Sequence, residues 1–163
     1  TTGNYNTAVG SASQYNTTTG VSNTSIGIDS LSQNTTGNYN VAVGGNALDA
    51  STTQSNNTAV GYVALGACVQ ANNTAVGFNA AASLSTGSDN VSVGAYCMGN
   101  TNVVGSNNVA VGKASMYNVT TGANNIAIGH DSMKNGTLTG NANAAVGTGS
   151  MASLTSGSEN NLL

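Results

Sequence analysis

The amino-acid sequence predicts an all-β chain, a parallel β-solenoid or β-roll with one coil for about every 17 residues. A five-residue motif recurs along nearly the whole chain: Asn, then Thr or an aliphatic residue, then Ala or Ser, then Val or Ile, then Gly. Its central residues alternate in type, as in a short strand whose side chains point to opposite faces. Gly, Asn and Thr suited to turns separate the copies, so no helix of ordinary length fits between them.

The copies of this motif, called pentads below, keep a nearly constant spacing of 16 to 18 residues. They begin at Asn6, Asn23, Asn40, Asn57, Asn73, Asn90, Asn108, Asn125 and Asn143, with a further copy at Asn160. Regular spacing is what stacked coils require, because each coil of a solenoid contacts only its neighbours. We therefore expect residues 1–163 to form a single repeat array, a fragment of a longer protein.

A second apolar site lies four residues after the pentad Gly and is preceded by a small residue. It holds Leu or Met in seven repeats, whereas Gln14 and Ala81 occupy it in the other two. We predict that these residues and the fourth pentad residues form the structural core. The predicted core is Val9, Ile26, Val43, Val60, Val76, Val93, Val111, Ile128, Val146, Leu31, Leu48, Leu65, Met98, Met116, Met133 and Met151.

Both faces of the pentad are restricted in residue type. In the nine complete copies the fourth position is always Val or Ile and the third is always Ala or Ser. One face can line the coil and the other can face a partner chain, and the sequence leaves open which is which. Each coil has few apolar side chains, so their burial offsets only part of the conformational entropy that is lost when the backbone becomes ordered. We therefore predict that the chain assembles with further copies, so that a second face is buried between chains.

Composition argues against several functions. Only 4% of residues are charged and the net charge is −3, so there is no basic surface for nucleic acid. No apolar run approaches the ~18 residues that a membrane-spanning helix needs. Cys68 and Cys97 occupy different repeat positions, so we expect two separate thiols. The glycines belong to turns, since no helix follows them as in a phosphate-binding loop.

No catalytic constellation is visible in the sequence. His130 is followed by Asp131, but no nucleophile or second ligand stands at a matching position in the next repeat. The acidic residues never pair at equivalent positions of adjacent repeats, as a glycosidase pair would. We therefore predict that the chain is not an enzyme and has no catalytic, cofactor-binding or metal-binding residues.

Two sets of residues remain candidates for specific roles. The Asn that opens each pentad is the polar residue repeated at a fixed position, and stacked Asn side chains form hydrogen-bonded ladders. The aromatic residues occupy variable positions and are candidates for recognition, since aromatic side chains are enriched at binding surfaces. The candidate receptor-facing residues are Tyr39, Tyr62, Phe78 and Tyr96.

The segment that runs from Gly37 to Leu48, with the sequence GNYNVAVGGNAL, resembles repeats of phage tail fibres and fibre-like bacterial surface proteins. In such proteins these repeats often precede a self-cleaving endosialidase-type chaperone domain, which this sequence does not contain. The pentads are also similar to the head repeats of trimeric autotransporter adhesins, although the adhesin period is shorter. The resemblance covers nearly the whole chain and implies an extracellular homotrimer that serves as a stalk or a head.

The resemblance makes a structural and adhesive fibre segment the leading hypothesis, as a phage tail-fibre stalk or head involved in host-surface attachment. The expected partners are further copies of the chain and a host cell-surface glycan or protein. A bacterial adhesin head is the nearest alternative. An ice-binding solenoid and an amyloid-like filament are two further alternatives. The second pentad position, where an ice-binding surface would need an unbroken Thr row, changes between Thr, Val, Ile and Ala.

Overall fold

The computed structural model describes residues 2–99, 104–134 and 139–162, and within these ranges it contains ten strands and no helix. All ten strands form one parallel sheet, in which each strand pairs with the next in chain order. The strands are β1 (Thr7–Val9), β2 (Thr24–Ile26), β3 (Val41–Val43), β4 (Thr58–Val60), β5 (Thr74–Val76), β6 (Val91–Val93), β7 (Val109–Val111), β8 (Ile126–Ile128), β9 (Ala144–Val146) and β10 (Asn161–Leu162).

Every strand is the centre of a pentad, and the pentads pair in register. Ala42 of β3 pairs with Ala59 of β4, and Ala59 pairs with Ala75 of β5, although the second step is one residue shorter. Differences in repeat length are therefore accommodated outside the strands. The chain is a β-solenoid with one coil per repeat, as the sequence predicts. At ~4.8 Å per coil the strand column is about 43 Å long.

The inside of the coil is lined by the third pentad residue, Ala or Ser, which is fully buried from β2 to β9. It faces the small residue that lies three positions after the pentad Gly. Ser25 Oγ lies 2.6 Å from Ser30 Oγ, and Ser92 Oγ donates a 2.9 Å hydrogen bond to the carbonyl of Cys97. The interior beside the strand is therefore only two small side chains thick. This close approach explains why only Ala and Ser occupy the third position.

The fourth pentad residues lie on the outer surface of the single chain, so their assignment to its core is wrong. A three-residue strand directs only its middle side chain inward, and the residues on either side point outward. Val9 is 56% exposed, Ile26 is 40% exposed and Val76 is 36% exposed. The whole outward row is Val9, Ile26, Val43, Val60, Val76, Val93, Val111, Ile128 and Val146, each half-buried or exposed.

The Leu and Met residues of the second apolar site lie inside the coil. Leu31, Leu48, Leu65, Met98, Met116 and Met133 are fully buried, and Met151 in the last full coil is partly buried. Their backbones also join consecutive coils. The N–H of Leu48 donates a 3.0 Å hydrogen bond to the carbonyl of Ala64, and that of Met116 donates to Ser132 at 2.9 Å. Coils are thus hydrogen-bonded on a second side, away from the strands.

The pentad asparagines form a continuous internal ladder from Asn6 to Asn160. Each Oδ1 accepts the backbone N–H of the Asn one coil later, as between Asn23 and Asn40 at 2.9 Å. Each Nδ2 donates to a carbonyl in the turn that precedes the Asn of the next coil, as from Asn23 to Gly37 at 2.8 Å. Every Asn between the two ends is buried. The Asn side chain therefore satisfies two buried backbone groups of the following coil.

The pentad Gly is required both by its backbone angle and by the stacking of coils. Gly61 has φ 135°, and a Cβ there would overlap the carbonyl of Gly77 in the next coil. The equivalent glycines from Gly10 to Gly129 meet the same obstacle. The chain can therefore turn away from the strand at this point in each coil only with Gly.

Candidate functional site

The outer face of the strand column is the most regular surface of the molecule. It consists of the outward row described above and of the second pentad residues, which are half-buried in most coils. This second row is Thr7, Thr24, Val41, Thr58, Thr74, Val91, Val109, Ile126 and Ala144. We call the two rows together the outer strand face. It carries no charged residue over nine consecutive coils, so it suits packing against another uncharged surface.

An aromatic column lies directly after the bend at the pentad Gly. The ring centroids of Tyr62 and Phe78 are 5.7 Å apart with the planes nearly parallel. Those of Phe78 and Tyr96 are 5.3 Å apart, with the rings edge to face. The side chains are between 40% and 53% exposed. Three of the four predicted receptor-facing residues are therefore stacked across consecutive coils, and we call these three the aromatic column.

The fourth predicted receptor-facing residue lies elsewhere. Tyr39 immediately precedes Asn40, on the other side of the pentad from the aromatic column, and its side chain is 62% exposed. Its backbone has φ 58°, and its N–H donates to the carbonyl of Val21 at 3.0 Å. The structure places Tyr39 on a different edge of the coil and not beside the other three residues.

Sequence reasoning missed a second group beside the aromatic column. Tyr96, Lys113, Ala114, Tyr117 and Lys134 line a shallow depression of about 370 Å³ that spans three coils. Part of this group can be recognised from the positions that its residues occupy in the repeats. Lys113 stands immediately after a pentad Gly, as Phe78 does, while Tyr117 and Lys134 share another repeat position. Alignment by repeat position pairs Tyr117 with Lys134, but only the stacking of coils places this pair beside Lys113 and Tyr96.

His130 and Asp131 belong to a partly exposed ion-pair group. Lys134 Nζ lies 2.9 Å from Asp131 Oδ1, and His130 Nδ1 lies 3.5 Å from Asp131 Oδ2. The His130 side chain is 51% exposed. Among the residues that the structure describes, no hydroxyl or thiol is hydrogen-bonded to His130. The arrangement is that of a solvated turn residue and provides no activated nucleophile.

The two cysteines are free and buried in separate parts of the core. Burial raises the pKa of the Cys97 thiol to about 11, against a smaller opposing effect of hydrogen bonding. Burial also raises the pKa of Cys68, and hydrogen bonds with Gln70 and Asn73 partly offset this effect. Both groups are therefore protonated at neutral pH and act as small core side chains.

The described ranges hold no group of three or more His, Cys, Asp or Glu residues placed to bind a metal ion. In the same part of the chain, no helix has the length and apolar character needed to cross a membrane. A cavity of about 600 Å³ is the open end of the interior at the last coil, lined by residues such as Met151, Leu154 and Leu162. A smaller one lies at the first coil.

Comparison of the chain with family models, with curated proteins and with solved structures finds no match.

Proposed function

We propose that the chain is a structural and adhesive segment of an extracellular fibre, assembled as a parallel, in-register homotrimer. The repeat resemblance favours a phage tail fibre that takes part in host attachment, with a bacterial surface adhesin as the alternative. The outer strand face carries the proposal. It presents two rows of half-exposed, uncharged side chains along nine coils, a surface that a free-standing rod would leave in water.

A three-fold arrangement buries this surface between identical chains. When three chains stand in register, each outward Val or Ile meets its own copy around the axis, so one repeat specifies the whole interface. Identical charges at equal height near an axis would repel each other. The outer strand face has none, since Lys113, His130 and Asp131 all lie beyond the bend at the pentad Gly. Charge placement therefore supports burial of this face against copies of itself.

A filament of stacked chains is the second candidate, because the chain already stacks its coils in parallel register along one sheet. The ice-binding alternative is not favoured, because Val, Ile and Ala interrupt the Thr row of the outer strand face.

Two neighbouring substitutions separate folding from assembly. Val60→Asp places a charge on the outer strand face, where a single chain can leave it hydrated, so we expect a folded chain that no longer assembles. Ala59→Asp places the charge at a position with 0% exposure and should abolish folding. Circular dichroism reports folding and light scattering reports mass. Tyr62→Ser, outside the proposed interface, should leave both unchanged.

The proposal fails if Val60→Asp assembles as the unaltered chain does, because the outer strand face would then not be the interface. It also fails if the unaltered chain is a monomer and Val60→Asp prevents its folding as completely as Ala59→Asp does. Val60→Thr, which copies the neighbouring Thr58 in type, should retain assembly and controls for the loss of the valine itself.

A further inference from the structure

The chain has only two Lys or Arg residues, and both line the depression that adjoins the aromatic column. Tyr96 and Tyr117 line the same depression, and Ala114 lies at its base with 6% exposure. Positive charge and aromatic surface are thus concentrated at one place in a chain with a net charge of −3. We call this feature the Tyr–Lys depression.

We propose that the Tyr–Lys depression binds an acidic sugar residue, a hexuronate, with tyrosine rings against the sugar face and Lys113 on the carboxylate. The inference deepens the adhesive part of the proposed function by naming a ligand class, and it rests on that function only for its biological role. A volume of about 370 Å³ lies at the small end of the range for ligand sites, which suits a single sugar ring.

The two lysines are not equivalent. Lys134 Nζ is held 2.9 Å from Asp131 Oδ1, so its charge is largely compensated. Lys113 is exposed, and within the described residues it forms no salt bridge. Lys113 is therefore the ammonium group available for a ligand carboxylate. One uncompensated cation matches one carboxylate and does not match the larger charge of a phosphate ester or a polyanion.

The aromatic side of the depression is oriented by its neighbour. Phe78 meets the Tyr96 ring edge to face at 5.3 Å, which limits how the Tyr96 ring can turn. Tyr96 is 40% exposed, so part of its ring surface remains accessible. An aromatic face next to a cation suits a sugar, whose C–H groups pack on the ring while its carboxylate reaches the ammonium group.

A pair of sugars that differ only in the carboxylate tests this inference. We would titrate the native protein with methyl β-glucuronide and with methyl β-glucoside by NMR or calorimetry. We expect saturable millimolar binding of the glucuronide, weaker with added salt, and at least about tenfold weaker binding of the glucoside. Inorganic phosphate is the third probe and should not compete effectively.

The repeats supply variants that the fold accepts. Lys113→Thr introduces the residue type of Thr148, and Tyr96→Asn that of Asn79, each at its own repeat position. Both should weaken glucuronide binding about tenfold or more. Tyr39→Ser, which copies Ser22 at its repeat position, should leave binding unchanged.

Three results would overturn the inference: equal affinity for the two glycosides, equal competition by phosphate, or full binding by Lys113→Thr. Absence of saturable binding at millimolar sugar would do the same. The titration measures binding at the depression and does not depend on the oligomeric state of the protein. A trimer that fails to bind would leave the fibre proposal standing, and a monomer that binds would leave the sugar site standing.

Discussion

At the scale of the residue, the coil depends on left-handed backbone conformations in residues other than Gly. Three positions in each repeat have φ near 50° to 60°: the residue before the pentad Asn, the second after the pentad Gly, and the Leu or Met of the second apolar site. Such a conformation costs an L-residue roughly 1–2 kcal/mol. Asn46 and Asn79 suit it, whereas Leu48 and Val63 do not. Contacts between stacked coils must therefore hold these residues in place.

These conformations could not be predicted from residue type. Leu and Met avoid positive φ in general, and an apolar repeat position predicts burial without predicting the backbone angle. The direction of burial in the pentad was also ambiguous, because Val60 and Ala59 are both apolar. Which of the two residues faces inward depends on how closely the opposite side of the coil approaches the strand. The sequence of a single repeat does not show this distance.

The cysteines give a pH prediction at the residue scale. The pKa of Cys97 is raised to about 11 in the folded chain, above the value of 9.0 for an unperturbed thiol. As the pH rises, the thiol therefore loses its proton at a lower pH in the unfolded chain than in the folded chain. Its contribution to the free energy of unfolding is constant below pH 9 and decreases between about pH 9 and 11. Denaturant unfolding at a series of pH values measures this change.

The matched control replaces both thiols by serine, which the repeats already accept at these positions. Ser51 stands where Cys68 stands one coil later, and Ser115 stands where Cys97 stands one coil earlier. The double variant Cys68→Ser, Cys97→Ser should lose less stability above pH 9 than the unaltered chain. An identical decrease in both proteins would show that other groups cause it.

At the scale of the element, the Asn ladder is the feature that holds successive strands in register. Asn73 Oδ1 accepts the N–H of Asn90 at 3.0 Å, and Asn73 Nδ2 donates to the carbonyl of Gly87 at 3.0 Å. Both bonds lie in the buried part of the coil. A shift of one residue would break them and would reverse the inward and outward rows.

Removal of one ladder residue should be costly. Asn73→Ala would leave the N–H of Asn90 and the carbonyl of Gly87 without these partners, and we expect a loss of about 2–4 kcal/mol in the free energy of unfolding. Asn16→Ala removes an exposed side-chain hydrogen bond to Gln33 that is 3.4 Å long, and it should change this free energy by less than about 0.5 kcal/mol. Equal effects in denaturant unfolding would contradict the structural role of the ladder.

The strands and their register could be predicted from the sequence, because the pentad repeats at nearly fixed spacing and alternates in side-chain type. The Asn ladder was expected for the same reason. The Tyr–Lys depression was not, since Tyr96, Lys113, Tyr117 and Lys134 come from three repeats and two edges of the pattern. Only the stacking of coils shows that they share one surface.

At the scale of the whole molecule, the solenoid is a stack of nearly identical coils with a thin interior and one uncharged outer face. Its interior holds one Leu or Met row, rows of small residues, the Asn ladder and a mixed row that includes Leu84 and Val119. Its outer strand face holds most of the β-branched residues of the strands. The sequence predicted the solenoid and placed Val60 and its equivalents in the structural core, but it left open whether this row lines the coil or an interface between chains. Their outward position is what makes assembly the central expectation.

Sedimentation equilibrium of the unaltered protein over a wide range of concentrations tests this expectation most directly. We predict a single species with three times the mass of the 15.9 kDa chain, unchanged on dilution, because the outer strand faces of three chains cover one another. A folded monomer at every concentration, or a mass that grows without limit as concentration rises, would contradict the trimer.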